Sequence, residues 1–370
     1  MRVAAIGDAH LGRAALNVLT AEGVNQREAD FEVSFLAAVD LALAQAPGLV
    51  IWLGDVFDHP RPTYRSFRVA QQALATIRAH GAGLVAISGN HDTPRLPGTA
   101  SPYAALADTF PEFRFACAMA YERIELPGLV VHAVPQMLTT DQALDALDQA
   151  DRQRSADRSN VLITHPRLSQ LAPPYPDVNE LEVDAERLRA DLVVLGHYHV
   201  HQQVRGRRMW YAGSTDTFSF ADDPHRPKGI VVLDSDSGHI RHLPLPGQRP
   251  LATLADLDAT GLSPAEIEGE LCRRAEAAPG GSVARVSVAG VETAAYRLVD
   301  LDAVRAAGTA LHLRVEPTFN GAPPPVALAD VASLGARWDR FVADHPSANL
   351  DPERIRRAGH DHLARAIEPG

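Results

Sequence analysis

The sequence predicts an α/β fold: a sandwich of two β-sheets flanked by helices, followed by a smaller α+β domain. Three observations carry this. Short β-branched runs ending in Gly, Asp, Asn or His recur through the first two thirds of the chain, and helical patterns separate the early ones. A stretch rich in Pro and Gly, Leu243-Pro-Leu-Pro-Gly-Gln-Arg-Pro250, then divides this part from the rest. At 370 residues the chain is longer than one ordinary core of ~100–200 residues, which agrees with one large domain and a smaller one.

In chain order, Val3–Ile6, Leu49–Leu53, Leu84–Ile87, Leu129–Val134, Val161–Thr164 and Leu192–Leu195 read as buried strands. Phe31–Ala46 and Tyr64–His80 read as helices; in the second, Phe67, Ala70, Leu74 and Ile77 recur at spacings of three and four. Strands alternating with helices imply a sheet layered by helices. Met209–Ala212 and Ile230–Leu233 follow each other with turn residues between, which predicts the second sheet and closes a domain over residues 1–245. Beyond the linker, Ser282–Ala289 alternates like a strand, Leu298–Ala307 is helical and Ala310–Val315 is strand-like, a small β-α-β unit within 251–325. The break Gly321-Ala-Pro-Pro-Pro325 precedes a helical tail, 326–370, in which Asp351-Pro352-Glu353 supplies the cap, first-turn proline and acidic start of a helix.

Composition excludes several classes. With 46% hydrophobic and 22% charged residues and dispersed Gly and Pro, the chain is not disordered, collagenous or coiled-coil. No apolar run approaches the ~18 residues of a membrane span, and the start, Met1-Arg-Val-Ala-Ala-Ile-Gly-Asp8, turns polar too early for a signal peptide, so a soluble cytoplasmic protein is expected. Cys117 and Cys272 lack CxxC spacing and are expected to be small buried apolar residues rather than a disulfide or a zinc-thiolate site. The net charge of −11 argues against a generally basic, nucleic-acid-binding surface, and Lys228 is the only lysine.

The chemistry lies at the strand ends. Successive runs lead into Asp8-Ala-His10, Gly54-Asp55-Val-Phe-Asp58, Gly89-Asn90-His91-Asp92, Thr164-His165 and Gly196-His197-Tyr-His199. In open α/β sheets the C-terminal strand edge is where side chains from several strands converge. Asp8, His10, Asp55, Asn90, His165, His197 and His199 form a mixed oxygen and nitrogen donor set, suited to hydrolytic divalent metals rather than to a thiolate zinc site. Seven donors exceed what one ion takes from protein, whereas two ions ~3.5–4 Å apart that share a carboxylate use them naturally.

These five motifs, in this order, resemble those of the calcineurin-like metallophosphoesterase superfamily. Within it, Gly-Asp-Val-Phe-Asp58, Val24-Asn25-Gln26-Arg27, Tyr211-Ala-Gly-Ser-Thr215 and Lys228-Gly229 resemble the SbcD branch, bacterial relatives of the double-strand-break nuclease that works with an SMC-like ATPase. The β-α-β unit is similar to that branch's cap domain by layout.

The resemblance implies one metal ion held by Asp8, His10, Asp55 and His199, and another by Asp55, Asn90, His165 and His197, with Asp55 bridging. It implies His91 as the catalytic histidine that stabilises the transition state and helps protonate the leaving oxygen, with Asp58 orienting it, although some relatives carry a histidine at the Asp58 position. Manganese is the metal it implies. The activity implied is 3′–5′ exonucleolytic on double-stranded DNA and endonucleolytic on single strands or hairpins, in a homodimer whose tail docks to an SbcC-type ATPase in a DNA repair complex. The alternatives are a phosphodiesterase or phosphatase for small molecules and a non-catalytic scaffold that binds DNA ends. Arg13, Arg61, Arg65 and Arg95 follow the first three motifs and are candidates for DNA phosphates. Asp92 is expected to brace its loop and His201 to lie at the surface.

Overall fold

Continuous apolar runs without polar alternation are the mark of strands buried on both faces. The computed structural model, which describes residues 1–95, 99–171, 180–222, 226–320, 335–336, 338–339, 341–343 and 351–367, gives that arrangement. The N-terminal part runs β1 (Arg2–Ile6), α1 (Gln26–Leu43), β2 (Leu49–Trp52), α2 (Tyr64–Ala79), β3 (Gly83–Ile87), α3 (Pro102–Thr109) and β4 (Arg114–Ala116). Strands β1 to β4 are parallel neighbours, with Val3 opposite Leu49 and Leu49 opposite Gly83. Both long helices start on side-chain caps: Asn25 accepts from the Arg27 and Glu28 amides, and Thr63 from that of Ser66.

The second sheet follows: β5 (Glu122–Leu126), β6 (Leu129–Val134), α4 (Thr140–Arg152), β7 (Ser159–Thr164), the two-residue pair β8 (Arg167–Leu168) and β9 (Glu182–Val183) beside it, β10 (Leu192–Leu195), β11 (Gln202–Gln203) and β12 (Met209–Tyr211). Its order is β11-β12-β10-β7-β6-β5. The chain then returns to the first sheet as β13 (Gly229–Asp234) and β14 (Ile240–Pro244). Here the structure departs from the sequence reading, which put the 209 and 230 runs in one sheet. The second run pairs antiparallel with the free edge of β1, Val3 opposite Leu233, where β14 on its other side keeps it buried.

Alternate residues divide the core. Val3, Ala5, Leu49, Ile51, Val85 and Ile87 meet Leu129, Val131, Val161, Ile163, Leu192 and Val194 between the sheets. The residues between them, such as Ala4, Val50, Trp52 and Leu84, pack outward on Phe35, Ala38, Leu74 and Ile77 of α1 and α2. Truncating Trp52, which is fully buried, to Ala would cost about 3–5 kcal/mol. The other face of the second sheet packs Leu162 and Val193 on Ala143, Ala146 and Leu147 of α4.

The chain forms two compact units. One comprises Met1–Leu254, Arg274–Arg285 and Arg305–Arg314; the other comprises Ala255–Arg273, Val286–Val304 and the described residues from Val315 onward. The expected strand, helix and strand after the linker are present at Val283–Val291, Leu301–Ala307 and His312–Phe319, together with a helix at Pro264–Ala277 that the sequence reading omitted. The tail helix spans Pro352–Ile367; the proline break at 321–325 lies outside the described residues. Among the described residues no helix is long and apolar enough to cross a membrane.

Candidate metal centre

Parallel pairing aligns the C-terminal ends of β1, β2 and β3 at one edge of the first sheet, and those of β7 and β10 do the same in the second. Asp8, Asp55, Asn90, His165 and His197 each follow one of these ends by at most three residues. The turns that aim them are unusual: Asp8 (φ 46°), His10 (φ 45°), Asp55 (φ 49°) and His197 (φ 96°) all have positive φ without being glycine. Each such residue costs about 1–3 kcal/mol and persists only when its surroundings over-determine it.

The surroundings do so. His10 N–H donates to the Asp55 carbonyl (2.9 Å) and Leu11 N–H to that of Val56 (2.8 Å), which ties the first loop to the second. Asp92 ties the second to the third: its carboxylate accepts from Gly89 N–H (2.6 Å), Val56 N–H (2.9 Å) and the Tyr103 hydroxyl (2.8 Å). It braces the loop, as expected. A Cβ at Gly89 would overlap the Asp55 carboxylate, and one at Gly196 would overlap the Leu53 carbonyl, so these approaches need glycine.

The seven expected donors meet around Asp55. His165 Nε2 lies 3.1 Å from Asp55 Oδ2 and 3.7 Å from Asp8 Oδ1, while His10 Nε2 lies 3.9 Å from Asp55 Oδ2 and 3.1 Å from His199 Nε2. His197 Nδ1 is 3.3 Å from Asn90 Oδ1, and its backbone N–H donates to Asp8 Oδ1 (2.9 Å). Outward nitrogens are anchored: His165 Nδ1 donates to the Leu53 carbonyl (2.7 Å) and His10 Nδ1 pairs with Asp58 Oδ1 (2.9 Å). Such partners fix the tautomer that turns Nε2 toward a metal. Among the described residues, three groups have donor atoms close enough to share an ion: Asp8, His10 and His199; Asp8, Asp55 and His165; and His10, Asp55 and His91.

The residues fit divalent cations. Asp8 Oδ2 is buried without a hydrogen-bond partner, and His10 and His199 aim Nε2 at Nε2. The donors are oxygens and imidazole nitrogens only.

Electrostatics follow from burial. Burial raises Asp8 to about 8 despite the nearby His165 charge. Burial also opposes ionisation of Asp55, but the charge and hydrogen bond of His165 outweigh it and hold the carboxyl well below its ordinary range. The same partnership, against desolvation, lifts His165 to about 10. Desolvation keeps His10 and His199 below their ordinary value and takes His197 down to about 3, leaving these rings neutral, the form that binds metal.

His91 stands at the wall of a cavity of ≈ 790 Å³ that Asp55, Asn90, His197 and His199 also line. Its backbone N–H donates to Asp55 Oδ1 (2.8 Å), and its ring Nδ1 is 3.1 Å from the Asp58 carbonyl oxygen but 3.7 Å from the Asp58 carboxylate. Asp58 thus contacts His91 through its main chain, while its carboxylate serves His10. His201 is partly exposed; its Nδ1 bonds to the Tyr211 carbonyl (2.9 Å) and its ring stacks on His242 at 4.3 Å. Of the four arginines, Arg65 grips the buried Glu32 with two hydrogen bonds, Arg13 lines the large cavity, and Arg61 and Arg95 line a smaller one.

Sequence reasoning missed Phe218, whose ring packs 4.8 Å from that of His10 and 4.3 Å from that of His199, with the Arg13 guanidinium 3.5 Å above it. A lone aromatic in a loop gives no signal. Lys228, to which the sequence assigned no role of its own, donates to the His199 carbonyl (2.6 Å) and pairs with Asp222 (2.7 Å), which also accepts from Phe218 N–H (2.9 Å).

Residues 1–201 match the calcineurin-like phosphoesterase family, and the chain belongs to it. All nine expected site residues lie within that match. Among proteins of named function, the chain is similar to the DNA double-strand break repair protein Mre11 of Thermoplasma acidophilum, 26% identical over 245 residues, which cover 63% of this chain and 62% of that protein. It is also 25% identical over 241 residues to the Mre11 of Methanocaldococcus jannaschii, covering 62% of this chain and 61% of that protein. It therefore spans less than two thirds of the length of these relatives. Among solved structures, TT1561 of Thermus thermophilus overlays 66% of this chain and 98% of its own, with a TM-score of 0.41 and 11% identity.

Proposed function

We propose that this chain is a metal-dependent nuclease that hydrolyses DNA phosphodiesters in double-strand-break repair. The observation that carries the reading is the gathering of Asp8, His10, Asp55, Asn90, His165, His197 and His199 about an unmet Asp8 oxygen, beside an open cavity, in a chain similar to Mre11 proteins. Asp8, His10, Asp55 and His199 would hold one divalent ion, and Asp55, Asn90, His165 and His197 the other, with manganese the metal that the resemblance to the SbcD branch implies. The chemistry such ions supply is Lewis-acid stabilisation of charge on the phosphoryl oxygens.

The chain's own residues do the rest. His91, 37% exposed and held from behind by the Asp58 carbonyl, presents its ring to the cavity and delivers the proton to the leaving oxygen. Asp58 and Leu53 keep His10 and His165 in the tautomers that face inward. Residues 1–245 would form the catalytic domain, 251–325 a cap and 326–370 a tail that docks to an SbcC-type ATPase, in a cytoplasmic homodimer cutting duplex ends 3′ to 5′ and single strands or hairpins internally.

The test is direct. The purified chain, with manganese, magnesium or chelator, is given duplex, single-stranded and hairpin DNA and bis-p-nitrophenyl phosphate, alongside Asp8→Ala and His91→Ala. DNA cleavage with manganese, lost in both variants, is expected; His91→Ala should lose ~10²–10⁴-fold in rate while still binding manganese in calorimetry. Hydrolysis of the small ester with all DNA left intact would replace this reading with a small-molecule phosphodiesterase. DNA binding without any cleavage would replace it with a scaffold.

A further inference from the structure

A second cavity, of ≈ 290 Å³, opens between the loops that follow β2 and β3. His59, Arg61, Asn90, Thr93 and Arg95 line it, and Asn90 is the one of these residues that also lines the large cavity. The two spaces therefore meet across a residue proposed to hold metal. Their charges differ. Asp55, Glu180 and Asp222 line the large cavity, whereas among the described residues no carboxylate lines the small one. Arg61 is exposed and makes no ion pair with a described carboxylate, while Arg65, four residues on, is spent on Glu32. On a chain of net charge −11, a cation-lined recess without acids, one residue from the proposed centre, is a local reversal of sign.

We propose that this recess is a phosphate subsite: it takes the phosphodiester that neighbours the scissile one on the same strand, with Arg61 as its main cationic contact. The inference rests on the nuclease reading and adds the substrate feature that reading leaves open, a strand with at least one flanking phosphate. The volume suits a phosphate with part of its sugar, being at the lower end of ligand cavities, so the subsite reads charge and backbone rather than base. Arg61 positions the strand and does not touch the reacting atoms. Its loss raises KM and leaves kcat alone.

The experiment uses the full chain and its Arg61→Ala and Arg61→Lys variants. Substrates are bis-p-nitrophenyl phosphate, a single-stranded oligonucleotide, and the same oligonucleotide with neutral methylphosphonates beside the cut linkage. In parallel, fluorescence anisotropy follows oligonucleotide binding in chelator across a salt series, with and without inorganic phosphate. We expect Arg61→Ala to raise KM for the native oligonucleotide roughly ten-fold, to leave the small ester unaffected and to lower the salt slope by about one. The methylphosphonate strand should be equally poor for wild type and variant, and Arg61→Lys should recover part of the loss.

Unchanged KM and salt slope in both variants, with DNA still cleaved by the wild type, overturn the subsite alone. A wild type that hydrolyses the ester but no DNA overturns the nuclease reading, and the subsite with it. Inorganic phosphate that occupies the recess, as shown by competition lost in Arg61→Ala, while methylphosphonates change nothing, makes it a site for free phosphate and overturns the strand assignment.

Discussion

Asp92→Ala should be among the most damaging substitutions that change no proposed metal ligand or catalytic group. The carboxylate is fully buried and accepts three hydrogen bonds, from Gly89 N–H at 2.6 Å, Val56 N–H at 2.9 Å and the Tyr103 hydroxyl at 2.8 Å. Removing it strands three donors, each worth about 1–3 kcal/mol when left unmet. A loss of about 3–9 kcal/mol is expected, a large share of the ~5–15 kcal/mol that keeps a typical protein folded. Tyr103→Phe removes one donor and strands nothing, since Asp92 keeps its two amides, and should cost about 1 kcal/mol. The double variant should be less unstable than the two losses added, by about 1 kcal/mol, because the stranded hydroxyl is gone. Urea unfolding followed by tryptophan fluorescence reads all three at pH 8, above the value of about 7 to which burial raises this carboxyl. An Asp92→Ala loss under 1 kcal/mol, or strict additivity, would refute the brace.

Four further outcomes are expected. Metal affinity measured by calorimetry should rise steeply with pH to about 8, where Asp8 gives up its proton, and less steeply to about 10, where His165 does; heats that do not vary with the buffer's ionisation enthalpy would count against it. Between pH 6.5 and 8 the metal-free chain should lose stability as pH climbs, because the folded state holds protons on Asp8 and His165 that the unfolded state has released; a flat denaturation midpoint would contradict this. Phe218→Ala withdraws the ring that packs on His10 and His199 and should weaken manganese binding about ten-fold, with unaltered affinity the disproof. Arg27→Ala leaves the fully buried Asp216 without its 2.9 Å partner and should cost about 3–5 kcal/mol in thermal or urea unfolding; a shift under 1 kcal/mol would show the pair to be dispensable.

What could be read in advance divides along physical lines. Strands covered on both faces announce themselves as unbroken apolar runs, so β1, β2, β3, β6, β7 and β10 were legible nearly to the residue. β4 and β5 were not, because each buries only one of its residues and shows no run. Helix α4 escaped because its buried face is mostly alanine: Ala143, Ala146 and Ala150 beside Leu147. The sheet to which β13 belongs is a long-range pairing with β1, which no local pattern encodes. At the site, donor types and their order were plain, since the chemistry restricts them to Asp, Asn and His. What surrounds them was hidden. Phe218 reaches His10 only because the loop after β12 docks beside β1, where Gly7 and Ser214 form a bridge, and Arg65 looked available until Glu32, from another helix, claimed it.

The same division explains where the local rules fail. Asp8, His10, Asp55 and His197 occupy backbone regions that bulky residues avoid, and at about 1–3 kcal/mol apiece their strain rivals the net stability of an ordinary domain. Neither propensity nor hydrogen bonding within a single loop can hold four such residues at once. The load is carried by cross-links between loops, namely His10 to Asp55, Asp92 to Gly89 and Val56, and His197 to Asp8, all seated on the buried parallel strands β1, β2, β3, β7 and β10 of the two sheets. Substitutions that loosen one cross-link should therefore weaken folding and metal binding together, whereas His91, part exposed at the cavity wall, should be separable from both. That separability distinguishes a group that acts on substrate from those that build its surroundings.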